Sequence, residues 1–155
     1  MTNRLSLILL VIAALFILNS FAAKDVPKGK DKPPTFEEAF LIYSVNLAIA
    51  KINETREYYL LKLGQNSSQP LPLKSALEEC VDECKDAIRD LNLIPRDLSR
   101  DPNMTTYDAL MAWDDLKSCG HSLKCHKVDD PSVLNLHFYS TAFVDLCVGI
   151  ASAFF

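Results

Sequence analysis

The sequence predicts an all-α fold, an up-down-up-down four-helix bundle stapled by disulfides. Three observations lead there. Apolar residues return at alternating steps of three and four in four successive stretches, the period of a helix that buries one face. Connections between the stretches are short, which makes consecutive helices antiparallel neighbours. Four of the five cysteines fall on the second and third stretches, where they can tie one helix to the next. No run alternates with the period of a strand, and no internal repeat is present.

The chain has 155 residues. Residues 1–23 read as a signal peptide: Met1 to Arg4 give a short basic start, Leu5 to Leu18 a largely apolar run, and Asn19 to Ala23 a small-residue exit cut after Ala22 or Ala23. A membrane span needs about 20 apolar residues, more than this run supplies. Residues 24–34 carry four lysines and three prolines with almost nothing apolar, the composition of a disordered leader. Residues 35–155 form the expected bundle. The net charge of −4, without a basic cluster after residue 32, argues against nucleic acid as a partner.

Thr35 and Glu38 make a capping box for the first helix. Its stripe is Phe36, Phe40, Tyr43, Leu47 and Ala50, resumed by Tyr58 and Leu61 after an interruption at Glu54, where a bend is expected. It ends near Gly64. Pro72 suits the first turn of the second helix, whose stripe is Leu73, Leu77, Cys80, Cys84, Ala87 and Leu91. That helix stops at Ile94, before Pro95. Arg96 to Asn103 is expected as a charged loop. Thr105 with Asp108 caps the third helix, with Ala109, Trp113, Leu116, Gly120 and Leu123 inward and Trp113 in the core. Asp130 and Pro131 open the fourth helix, N-cap followed by first-turn proline. Its face is Leu136, Tyr139, Phe143, Leu146, Ile150 and Ala153. The run Phe138 to Phe155 also has the apolarity of an anchor, but Ser140, Thr141, Asp145 and Ser152 favour burial in a bundle over a stable membrane anchor.

In a chain bound for an oxidising compartment, cysteines are expected to pair. On antiparallel helices a later residue of one faces an earlier residue of the other. The uncrossed pairing is therefore Cys80 with Cys125 and Cys84 with Cys119, leaving Cys147 as a buried free thiol. Six residues on the third helix span about 9 Å against about 6 Å for four on the second, so the third helix is expected to end or distort near Gly120. Cys119, His121, Cys125 and His126 carry zinc-ligand chemistry, but their spacing matches no standard finger and oxidation is favoured, so no metal is expected. Asn53, Asn66 and Asn103 open glycosylation sequons; Asn66 and Asn103, in expected loops, suit a glycan better.

Catalytic patterns find no footing. The chain has no glycine-rich phosphate loop, no H-E-x-x-H and no G-x-S-x-G. His137 and Asp145 stand eight residues apart on one helix, about 12 Å along its axis, too far for direct contact. Neither an enzyme nor a cofactor is indicated.

Ala76-Leu77-Glu78-Glu79-Cys80 with Ala87, then Tyr107, Trp113 and Cys125, then Ser140-Thr141-Ala142-Phe143, resembles the sequence pattern of the plant invertase and pectin methylesterase inhibitor family across about Thr35 to Ile150. Cys84 stands where the family has a tyrosine. The family's N-terminal helical hairpin with its own cysteine pair has no counterpart before Cys80, and Pro95-Arg96-Asp97 lacks the aromatic of the invertase-directed members. The resemblance implies an up-and-down four-helix bundle with a Cys80 to Cys125 bridge. It implies a secreted extracellular protein of the apoplast or cell wall that inhibits pectin methylesterase or, less directly, acid invertase by one-to-one coverage of the active-site cleft. The partner surface is expected on the solvent faces of the second and third helices, at Glu78, Asp82, Asp86, Asp114 and Asp115. The competing reading is a secreted, non-inhibitory binding or lipid-carrier module, suggested by the absent hairpin and the very apolar last helix.

Overall fold

A computed structural model describes residues 34–65 and 71–155. The signal peptide of residues 1–23, nearly all of the leader and Asn66 lie outside the described residues. Among the described residues the regular structure is all helix: α1 Phe36–Gln65, α2 Leu71–Leu91, α3 Ile94–Arg100, α4 Pro102–Cys125 and α5 Pro131–Phe154. The four long helices form the up-down-up-down bundle, with α1 packed on α2 and α5, and α4 on α2 and α5. The short α3 leans chiefly on α4.

Antiparallel order is written in the bonds between neighbours. Along α1, Thr55 bonds the hydroxyl of Ser140 at 2.8 Å, Tyr59 the carbonyl of Val133 at 3.4 Å and Lys62 the carboxylate of Asp130 at 2.6 Å. Successively later residues of α1 thus meet earlier ones at the start of α5. Asp130 also caps α5, accepting from the amides of Ser132 and Val133, which ties the α4–α5 connection to the end of α1. The core is filled by Leu41, Val45 and Ile52 of α1, Leu77 and Leu91 of α2, Leu116 and Leu123 of α4, and Val133 and Val144 of α5.

The inward faces differ from expectation where the sequence is apolar all round. In α1 the buried residues are Leu41, Ser44, Val45, Ala48, Ile52, Thr55 and Tyr59, while Phe36 and Leu61 are exposed. In α5 they are Val133, Ser140, Val144, Cys147, Ile150 and Ala151, and Tyr139 and Leu146 face out. Ser44, Thr55 and Ser140 are buried because each hydroxyl finds a partner, which removes the desolvation cost. Apolar periodicity cannot register that compensation. By length and composition α5 is also apolar enough to cross a membrane, although one face of it packs into this core.

Around α3 the chain departs further. The expected charged loop is a helix with Pro95 in its first turn, where proline's missing N–H costs nothing. α2 accordingly ends at Leu91 rather than Ile94. Asp101, not Thr105, caps α4, its carboxylate accepting from the amide of Asn103. Asp108 is buried instead of capping. Trp113 is half-buried against the core, and Lys117 Nζ sits 4.0 Å from the centre of its ring.

Candidate functional site

The face built by α2 and α4 concentrates the chemistry. Its anchor is a disulfide between Cys80 and Cys119, whose Cα atoms stand 4.6 Å apart. This corrects the expected pairs Cys80 with Cys125 and Cys84 with Cys119. α4 stays helical to Cys125, so Gly120 is no break and Cys125 cannot swing back. Six residues turn a helix by about 240°, which leaves Cys119 buried against α2 and Cys125 exposed. Cys84, one turn beyond Cys80, faces into the core near Tyr59 of α1, and burial pushes its thiol up to about 12. Three cysteines are therefore free: Cys84 and Cys147 buried, Cys125 exposed. With Cys119 oxidised, the zinc-type set of the sequence is broken up, and no group of three or more metal-ligating side chains assembles among the described residues.

His137 of α5 lies behind the bridge. Its Nδ1 stands 3.5 Å from Cys119 Sγ; a bridged sulfur carries no proton, so only the imidazole can donate there. Burial lowers the pKa of His137. Gly120 makes room for the ring, since a Cβ at that position would come within 2.6 Å of His137 Nε2.

Outward from the disulfide runs an open groove of about 540 Å³ lined by Glu79 and Glu83 of α2 and by Asp114, Lys117, His121 and Cys125 of α4, among others. Ser122 Oγ donates to Glu79 across it, and Cys125 Sγ lies 3.3 Å from His121 Nε2. One wall is acidic and the other mixed. The sequence reading missed this groove because its residues are polar positions on two helices whose register was unknown. The signal was present in the i, i+4 pair His121 and Cys125.

The five acidic residues expected at a partner surface divide. Glu78, Asp82 and Asp114 are exposed, Glu78 with Lys74 3.8 Å away. Asp86 is bound by Arg89 at 2.6 Å. Asp115 turns into the α2–α4 seam, where its Oδ2 is buried and accepts from no donor. Of the sequons, Asn103 is exposed at the start of α4 and Asn53 half-buried within α1.

The lower end of the same seam is a row of carboxylates. Asp90 of α2, Asp97 of α3 and Asp108 of α4 are all buried. Arg96 donates to both oxygens of Asp97, at 2.6 and 2.8 Å, and holds its pKa below the usual value. Arg89 donates to Asp90 at 3.0 Å. Asp108 has no such cation. Burial first, then the charge of Asp97, pushes its carboxyl up to about 6. Asp115 is likewise raised to about 6 by burial and then by Asp90.

Among solved structures the chain is similar to a pectin methylesterase inhibitor from Arabidopsis thaliana, with a TM-score of 0.66 and 19% identity over 79% of this chain and 80% of that one. A mutant form of a pectin methylesterase inhibitor from Arabidopsis matches with a TM-score of 0.68 and 19% identity over 76% and 78%. The chain thus has the helical fold of these inhibitors. No family model and no curated protein matches it.

Proposed function

We propose that this protein is a secreted inhibitor that blocks a plant cell-wall enzyme, pectin methylesterase or alternatively acid invertase, by one-to-one binding over its active-site cleft. The observation that carries the reading is the likeness of the whole bundle, rather than one motif, to structures of pectin methylesterase inhibitors. An inhibitor of this kind needs a rigid face and no catalytic group. The α2–α4 face meets the first requirement, since the disulfide and the Glu79 to Ser122 bond fix the two helices side by side. Glu78, Asp82 and Asp114 with Lys117 and His121 are the exposed side chains that this reading turns toward a partner's surface. Secretion through residues 1–23 into the apoplast, glycosylation at Asn53, Asn66 or Asn103, and α5 as a bundle helix rather than an anchor belong to the same proposal.

Residual activity of purified pectin methylesterase and acid invertase, titrated with the protein from pH 4 to 7, tests it. Loss of one activity at a one-to-one ratio is expected. No effect on either enzyme refutes the reading. The exposed apolar side chains Leu134, Phe138, Leu146 and Phe154 of α5 support the second reading, a secreted carrier of an apolar ligand. Native mass spectrometry of the purified protein separates the two: a co-purifying lipid favours the carrier, and a bare chain that inhibits excludes it.

A further inference from the structure

The geometry points to an acid-set latch at the junction of α2, α3 and α4: protonation of Asp108 joins it by a hydrogen bond to Asp97, and protonation of Asp115 removes its repulsion with Asp90, so that the junction closes in mild acid and loosens near neutrality. Three observations converge. Asp108 and Asp115 each keep one buried carboxylate oxygen with no donor, a costly arrangement for an ionised group. They stand seven residues apart on α4, two turns along one face, and that face meets the carboxylates of Asp90 and Asp97. Asp97 and Asp108 lie within hydrogen-bonding reach of each other, yet two ionised carboxylates share no proton and cannot bond. One proton converts the repulsion into an O–H···O⁻ bond from Asp108 to Asp97, which relieves the buried charge of Asp108 and pins α3 to α4.

The charged surroundings set the order of events. α3 contributes Arg96, Asp97 and Arg100, and α2 contributes Glu83, Asp86, Arg89 and Asp90. Arg96 keeps Asp97 ionised and Arg89 pairs with Asp90, so the protons go to the two acids of α4. Both are raised to about 6. A carboxyl with a raised folded pKa binds its proton more tightly folded than unfolded. The folded state therefore gains as pH falls from about 6 to about 4, the unfolded carboxylate value, and the gain is absent above 6. Lowered groups run the other way: His137 costs stability below its unfolded pKa, and Asp97 and Asp130 lose their contribution in strong acid. A variant confined to Asp108 cancels those terms.

Urea unfolding of wild type and Asp108→Asn from pH 4 to 7.5, with carbon-detected NMR titration of the aspartate carboxyls, tests the latch. In wild type the Asp108 carboxyl titrates near 6. Between pH 4 and 6 the folded-to-unfolded ratio of wild type falls relative to the variant by about thirtyfold. Amides of α3 exchange faster at pH 7.5 than at 5 after correction for intrinsic rates, and in the variant they lose that dependence. In Asp97→Asn the Asp108 midpoint falls but stays above an ordinary carboxylate, because burial persists. Parallel stability profiles for wild type and Asp108→Asn, or an Asp108 midpoint below about 4.5, overturn the proposal. If the variant does not fold, the wild-type titration and α3 exchange decide alone.

Discussion

Breaking the Cys80–Cys119 bridge is the most informative single perturbation. The bond closes a loop with a sequence separation of 39, containing the second half of α2, all of α3 and most of α4. In the chain-entropy model a loop of roughly that length restricts the unfolded chain by about 13 cal/mol/K, or about 4 kcal/mol at room temperature. For a bundle of this size that corresponds to a fall in Tm of about 15 °C. The assay is urea unfolding of the oxidised wild type, Cys119→Ser and Cys125→Ser. Cys119→Ser loses about 4 kcal/mol, and its m-value rises because the unfolded chain expands. Cys125→Ser, an exposed change, stays within about 0.5 kcal/mol of wild type. The reverse ranking, with a Cys80 to Cys125 peptide in an unreduced digest, would refute both the bridge and the helical end of α4.

Other outcomes follow from single contacts. Thr55→Val and Ser140→Ala each break the buried hydroxyl pair but leave the surviving hydroxyl a backbone carbonyl, that of Lys51 or of Leu136, and cost about 0.5–1.5 kcal/mol, while the double variant costs less than their sum in a denaturation cycle. Gly120→Ala drives its methyl into His137 and loses about 1–3 kcal/mol; in a His137→Ala background the same change is nearly neutral by thermal melting. Asp130→Ala costs about 1–2 kcal/mol through loss of the α5 cap, and Asp130→Asn about half of that because asparagine still caps. The Lys62 bond holds the pKa of Asp130 down, so its contribution is present above the unfolded carboxylate value and fades as pH falls through the folded one.

Legibility in the sequence tracked amphipathicity. α2 alternates apolar and charged residues sharply, and its stripe from Leu77 through Cys80, Cys84 and Ala87 to Leu91 is the buried face. The Asp130-Pro131 start of α5 was equally plain, since cap and proline are local chemistry. α1 and α5 carry apolar residues on every side, so periodicity gave a helix but not its phase. The face chosen depends on hydroxyl pairs such as Thr55 with Ser140, which exist only once two helices meet. Pro95 carries two meanings at once, the stop after α2 and the first turn of α3. The disulfide register turned on whether α4 continues past Gly120, and the reason for a glycine inside that helix, a His137 ring occupying the space of its Cβ, comes from another helix. The carboxylate row was legible only as single acids: Asp115 as a solvent residue and Asp108 as a cap.

The distribution of the three free thiols has its own consequence for how opening of this bundle can be followed. Cys125 lies at the surface, whereas Cys84 on α2 and Cys147 on α5 are closed in the core with thiols raised to about 12 by burial. In the folded chain an alkylating reagent therefore meets one sulfur. The other two become reactive only when the packing around them opens, and they sit on different helices. Their labelling rates form two independent clocks within one molecule. Equal rates mean that the bundle opens as a unit, and an earlier Cys147 signal means that α5 leaves first while the bridged pair of α2 and α4 holds.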